Sequence, residues 1–293
     1  MKLAALRISD GEESALHVQT SDGYASVDQL ARSAGLPHLQ GLRDVGELYA
    51  RGGGALDDLR ALSGGAQSTV AAEGARFAPP VRRPSKIVCV GLNYMDHIKE
   101  SGGTRPERIV LFAKFPNCLV GHGENVRLPS ITRELDYEGE LAVVIGRRTS
   151  GVSVEEALSF IGGFTVINDV SARDLQIAEA QWIRGKSLDT FAPLGPVVLD
   201  AQSAPPIDSM RIQTFVNGEL RQDASCSLMI TPVAELIAHI SQAITLEPGD
   251  IIATGTPSGV ALGMNPQIYL KDGDTMTVSI DAIGELMNRV VTS

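Results

Sequence analysis

Apolar and polar positions alternate at strand spacing over residues 2–8, 14–18 and 24–27, and helical spacing takes over around 29–34 and 55–62. Gly52, Gly53 and Gly54 mark a flexible turn between them. The stretch ARFAPPVRRPSK then sets Pro79, Pro80 and Pro84 among basic residues, a composition that resists helix and sheet and suits an interdomain linker. A boundary near residue 80 follows, with a small N-terminal α+β domain over 1–80 and a larger domain over 81–293. Beyond it, segments rich in valine and isoleucine at 86–90, 137–146, 164–168, 195–199, 210–216, 250–254 and 275–280 predict strands. Helices are expected only at 153–160, 172–181 and 231–241. Strands and helices do not alternate regularly, so the pattern predicts a β-dominated α+β fold and not a doubly wound sheet.

Composition changes the picture in three ways. The longest purely apolar run, 141–145, is far too short to span a membrane, and Arg7 interrupts the apolar patch at 3–6 before a signal-peptide core forms. A cytoplasmic protein without a membrane partner is expected. Cys89, Cys118 and Cys226 are odd in number and far apart, which predicts reduced, buried thiols and neither a disulfide framework nor a thiolate metal site. A formal charge of −10 argues against a nucleic-acid surface, so an anionic substrate would need a local cluster of positive charge.

The candidate chemistry begins in LDYEGELAVVIG. A strand period of two puts Glu138 and Glu140 on one face with Ala142 and Val144, and Gly139, Leu141, Val143 and Ile145 on the other. A strand this apolar on both sides is expected to be buried on both faces. Two such carboxylates repel by roughly 4 kcal/mol at ~4 Å and an effective dielectric of ~20, so a cation is the simplest neutraliser. Asp169, at the end of GGFTVIND, offers a third carboxylate, with a helix N-cap as its alternative role. Three acids without histidine or thiolate select a hard ion, Mg²⁺ first and Mn²⁺ or Ca²⁺ next. In NYMDHIKE, where Asn93 can cap a short helix, His97 and Glu100 share one face, and the pairing makes His97 a candidate general base. Gly102 and Gly103 directly after them suit a mobile lid. Arg173 and Gln176, one helical turn apart, and Lys186 could supply the positive field: Arg173 by gripping a substrate carboxylate, Gln176 by donating to a substrate oxygen, Lys186 by stabilising an enolate. The TGTPSGV loop lacks the Gly-Lys-Ser/Thr ending of a phosphate loop, so nucleotide binding is not supported.

DYEGELAVVIG, GGFTVINDVSARDLQ, GKSLDTFAPLGP and ATGTPSGV, in that order and spacing, together resemble the fumarylacetoacetate hydrolase family, over residues 86–293. GLNYMDHIKE resembles that family's lid segment, and residues 1–80 resemble the appended domain of its longer prokaryotic members. The resemblance implies a mixed β-roll catalytic domain, a homodimer, and a metal on Glu138, Glu140 and Asp169. It also implies a His97–Glu100 dyad, an active site lined by Arg173, Gln176 and Lys186, and substrate oxygens contacted by Gly255 and Thr256. The expected substrate is a small anionic 2-oxo acid, and the first expectation is hydrolytic cleavage of an acylpyruvate by water that His97 activates. Decarboxylation or tautomerisation of oxaloacetate and isomerisation of 2-hydroxyhepta-2,4-diene-1,7-dioate are the rivals within the family. A catalytically silent protein that binds metal and 2-oxo acid is the rival of another class.

Overall fold

The computed structural model describes residues 1–8 and 13–292. Its N-terminal strands are β1 (Lys2–Arg7), β2 (Ser14–Gln19), β3 (Gly23–Ser26) and β4 (Val70–Ala71), with helices α1 (Val27–Ala34), α2 (Val45–Arg51) and α3 (Ala55–Ser63). There follow β5 (Ile87–Gly91), α4 (Met95–Glu100), β6 (Val110–Lys114), β7 (Leu119–Val120), β8 (Asn125–Leu128), β9 (Leu135–Asp136), β10 (Gly139–Ile145) and α5 (Val154–Ala157). Next come β11 (Ile161–Asn168), β12 (Ser171–Ala172), α6 (Arg173–Ala178), α7 (Ile183–Lys186) and β13 (Ala192–Asp200). The chain closes with β14 (Arg211–Val216), β15 (Glu219–Ser225), α8 (Val233–Ala243), β16 (Ile251–Ala253), β17 (Thr275–Ile280) and β18 (Gly284–Thr292).

The main sheet runs β4-β3-β2-β1-β13-β11-β10-β16-β5-β6, with β7 alongside β13. Most pairs are antiparallel, but β16 lies parallel to β5 and β7 parallel to β13. A second sheet, β15-β14-β17-β18-β8, packs on one face of the first, and mixed sheets with few helices are the β-dominated α+β fold expected. Every residue of β10 and β11 is buried. Leu141, Val143 and Ile145 enter a core shared with Ile212, Val278 and Leu286 of the second sheet and with α8. Ala142 and Val144 enter the opposite core, shared with Leu39, Leu48 and Leu59 of the N-terminal segment. Two-sided burial thus removes solvent from both faces of the strand that begins just after Glu138.

The N-terminal strands continue this sheet: Lys2 pairs with Leu199 and Leu3 with Val198. The proline-rich stretch between them is neither helix nor strand, and its middle, Ala78 to Val81, is buried. Several elements differ from the reading of the sequence. The expected 172–181 helix ends at Ala178, and the chain turns before the short α7; only Val154–Ala157 of 153–160 is α-helical, the rest being a 3₁₀ turn. Asn93 does not cap α4, whose N-cap is Tyr94 without a side-chain bond. The Asn93 amide instead donates to the carbonyls of Thr231 and Thr254 and accepts from the Thr231 N–H, because those buried backbone groups have no strand partner there. Strands β6, β15 and β18 and helix α2 were not expected. All three cysteines are buried free thiols. Among the described residues no helix is long and apolar enough to cross a membrane.

Tyr49 of α2 lies flat against Gly162 of β11, where a Cβ would sit 2.4 Å from the ring and 2.8 Å from the Gly146 Cα. Gly162→Ala should therefore cost about 1–3 kcal/mol by overpacking, a fall in Tm on the order of 5 °C for a chain of this size. Differential scanning calorimetry checks it, and an unchanged Tm would mean that the helical layer does not press on the sheet.

Candidate active site

Glu138 and Glu140 stand on the same side of the β10 line because the strand period carries the Ala142 and Val144 face back toward its N-terminal end. Asp169 follows the last residue of β11, and its N–H donates to the Glu138 carbonyl at 2.8 Å. One ligand oxygen from each of Glu138, Glu140 and Asp169 lies within 4.8 Å of the others, and all three residues are buried. Asp169 is not an N-cap: α6 starts at Arg173 after Ala172, and the Asp169 carboxylate turns inward to two lysines.

Three cations face these acids. Lys186 Nζ donates to Glu138 Oε2 at 2.6 Å and Asp169 Oδ2 at 2.9 Å. Lys114, from the end of β6 and wholly buried, donates to Asp169 Oδ1 at 2.5 Å and to the Val170 carbonyl at 3.0 Å. Arg173 donates through Nε to Asp136 Oδ2 at 2.8 Å and through Nη1 to Gln176 Oε1 at 3.0 Å, and its Nη2 forms an ion pair with Glu138 Oε1 at 2.6 Å. Four buried carboxylates, Asp136 included, therefore face three buried cations. The shortfall falls on Glu140, whose nearest donor is the Gly255 N–H at 2.8 Å. Burial and the charges of Asp169 and Glu138 push the Glu140 carboxyl well above the usual carboxylate range. Glu138 moves the other way: burial opposes its ionisation, but Lys186, Arg173 and His97 outweigh it and hold its carboxyl far down. Three converging oxygens, one of them lacking a counter-charge, fit a hard divalent cation.

Helix α4 brings the proton-handling candidates to the same place. His97 Nδ1 lies 2.8 Å from Glu100 Oε1, and Glu100 Oε2 accepts from the Gly259 N–H at 2.8 Å. The loop is so close that a Cβ on Gly263 would fall 2.6 Å from the Glu100 carboxyl. His97, Glu138, Glu140, Arg173, Gln176, Lys186 and Thr256 line one cavity of about 150 Å³. Gly255 lies just outside that lining, its N–H on Glu140, and the Thr256 hydroxyl donates to the Gly139 carbonyl at 3.0 Å. These groups hold the carboxylate strand, where the sequence pointed to substrate contacts. Arg173 donates to Asp136 and Gln176, while its buried Nη2 has the ion pair with Glu138 and no hydrogen-bond partner. The Gln176 amide oxygen accepts from Arg173, which leaves its nitrogen as the donor available to a ligand.

Five contributors escaped the sequence reading. Lys114 ends an unexpected strand, and Asp136, wholly buried, lies in the quoted motif one residue before the expected strand 137–146 and was given no role. Gln222 accepts from the Gly139 N–H and donates to the Thr256 hydroxyl from the unexpected β15. Trp182 and Phe112 form a wall of the cavity, their rings 5.3 Å apart edge to face. Only Lys114 carried a signal, as a lysine closing an apolar run, VLFAK.

The model of the fumarylacetoacetate (FAA) hydrolase C-terminal family matches residues 86–291. Oxaloacetate tautomerase YisK of Bacillus subtilis (strain 168) is 47% identical over 215 residues, covering 72% of this chain and 71% of its own. The mitochondrial oxaloacetate tautomerase Fahd2a of Rattus norvegicus is 35% identical over 292 residues, 99% of this chain and 92% of its own. Among solved structures, a fumarylacetoacetate hydrolase from psychrophilic Exiguobacterium antarcticum superposes with a TM-score of 0.84 at 38% identity, over 100% of both chains.

The two glutamates should respond oppositely to neutralisation in metal-free protein. Glu138→Gln removes the anion that Lys186 and Arg173 share, leaving them only Asp169 and Asp136, and should cost about 3–5 kcal/mol. Glu140→Gln removes the surplus charge and should raise Tm at neutral pH. Because the folded chain holds the Glu140 proton more tightly than the unfolded chain, that stability is complete below the ordinary glutamate value of about 4.3 and is lost as pH rises through the higher folded value. Thermal melts across pH in chelator check this: the loss on going from acid to neutral pH should shrink in Glu140→Gln, and an unaltered slope would assign the surplus charge elsewhere.

Proposed function

The chain belongs to the fumarylacetoacetate hydrolase family, and from that premise we propose that it is a divalent-metal-dependent enzyme interconverting the enol and keto forms of oxaloacetate. The observation that carries the reading is that His97, oriented by Glu100, lines the same small cavity as Glu138 and Glu140, whose oxygens converge with one from Asp169. The tautomerase names of the Bacillus and rat relatives support it and move this reaction ahead of the hydrolysis that the sequence favoured.

A divalent cation on Glu138, Glu140 and Asp169, Mg²⁺ first, supplies Lewis-acid polarisation of the adjacent carboxylate and 2-oxo oxygens when bound. The rest falls to the side chains. Glu100 fixes the His97 ring through Nδ1, which leaves Nε2 to take the proton from C3 and return it to the 2-oxygen, so that a C–H bond becomes an O–H bond with no net change in atoms. Lys186 and the Gln176 amide meet the charge that develops on oxygen. Arg173, braced by Asp136, holds Glu138 in place and acts as a positioning residue. Lys114 does the same for Asp169.

Hydrolysis of an acylpyruvate is the second reading, favoured by the same dyad, because a histidine oriented by a carboxylate can equally take a proton from water. Decay of the enol absorbance of freshly dissolved oxaloacetate measures the first reaction, and pyruvate release from acetylpyruvate measures the second. The enzyme should accelerate enol–keto equilibration, lose the activity in chelator and regain it with Mg²⁺. His97→Ala should reduce the rate by about 10²–10⁴-fold with Mg²⁺ affinity retained. Mg²⁺ at about 100 times its Kd should stabilise the fold by roughly 2.7 kcal/mol at neutral pH, and by less in acid, where protons compete at Glu140. Pyruvate release without equilibration would select the hydrolase, and neither activity in metal-loaded protein would reject both.

A further inference from the structure

Beside its carboxylates and Lys186 the cavity is lined by the apolar side chains of Leu92, Phe112, Trp182 and Leu262. Its volume, about 150 Å³, is well below the ~300–1,000 Å³ of sites that take drug-sized ligands. Trp182 is the chain's sole tryptophan and lies in the turn between α6 and α7. A Cβ on Gly91 would lie 2.7 Å from its Cζ3 and 3.2 Å from its Cη2, so the six-membered ring of the indole rests on the glycine backbone. The other contact is the edge-to-face packing on Phe112, whose ring also lies 5.2 Å from Lys186 Nζ. The Trp182 carbonyl accepts from the N–H groups of Gly185 and Lys186, each at 3.0 Å. The wall and the lysine that bridges Glu138 and Asp169 are therefore parts of one short rigid segment.

We propose that Trp182, seated on Gly91 and Phe112, is a specificity-determining wall that limits the substrate to a 2-oxo diacid with a short tail, of oxaloacetate length. The proposal rests on the reading of the site as one for 2-oxo acids. A head group held at the carboxylates and Lys186 sends its tail toward the apolar side, where the indole blocks extension by further methylenes. Crowding of this kind discriminates because the half-buried ring is backed by the Gly91 backbone and by the Phe112 ring.

The test uses Mg²⁺-loaded full-length protein with oxaloacetate as substrate and 2-oxoglutarate and 2-oxoadipate as competitors, their dissociation constants also measured by calorimetry. In the parent protein each should bind more weakly than the one before, and binding should change the fluorescence of Trp182. Since one misfitting methylene is worth about 10–200-fold in a tight pocket, Trp182→Ala should lower the ratio of the 2-oxoadipate constant to the oxaloacetate KM by at least about tenfold. Trp182→Phe, which keeps a ring but shortens the wall, should move the same ratio in the same direction, and it decides the matter if the alanine variant fails to fold. A ratio unchanged in a folded variant of a parent that acts on oxaloacetate overturns the wall alone, as does parent fluorescence unmoved by a bound diacid. A parent that neither turns over oxaloacetate nor binds any of the three acids with Mg²⁺ overturns the functional reading, and the wall falls with it.

Discussion

Four carboxylates and three cations are buried around one cavity, and the unequal count is the constraint to which the rest of the site answers. Charges removed from water are tolerated only when each has a close partner in good geometry. Glu138 has Lys186 and Arg173, Asp169 has Lys114 and Lys186, and Asp136 has Arg173. Glu140 has only backbone, and its burial beside Asp169 and Glu138 pushes its carboxyl above the usual range. A divalent cation held there would supply the missing counter-charge. A site so balanced would draw an anion, a local field that the chain's net charge of −10 does not otherwise offer.

Such a cluster persists only in a frame that does not relax around it, and the main sheet supplies the frame. The face of β10 that carries Glu138 and Glu140 becomes, two and four residues later, the face that packs Ala142 and Val144 against the N-terminal helical layer. A one-residue slip in register would send both acids into the core between the two sheets and both alanine and valine out of theirs. Register is thus fixed by hydrophobic burial at one end of the strand and used for chemistry at the other. Pairing of β1 with β13 carries the N-terminal segment into the same sheet.

What was legible in the sequence followed from period. The alternation through 138–145 is a direct property of an extended chain, so the shared face of the two glutamates and the two-sided burial could be read without a structure. The i, i+3 spacing of His97 and Glu100 was legible for the same reason. Partner choice was not, because it depends on which distant strands meet. Lys114 reaches Asp169 only since β6 pairs with β5 at the edge of the sheet, and Gln222 reaches Gly139 only because the second sheet packs across β10. Arg173 illustrates the limit best: a guanidinium beside a predicted site invites a substrate carboxylate, but Asp136, far more buried than its sequence context implied, holds it first. Strands β15 and β18 were missed where exposed polar residues interrupt the apolar pattern, as expected of strands with one face in water.

Asp136 also explains how the two halves of the site hold together. Its Oδ1 accepts from the N–H of Ala261 and its Oδ2 from the N–H of Leu262 and from Arg173 Nε. The loop that contains Ala261 and Leu262 carries Gly259, whose N–H holds Glu100. A continuous set of hydrogen bonds and ion pairs therefore runs from Glu100 through this loop to Asp136, Arg173 and Glu138, linking the group that orients His97 to a carboxylate of the cluster. Every member except Glu100 is backbone or buried side chain, so displacing α4 breaks the bond at Gly259 before it disturbs the carboxylates.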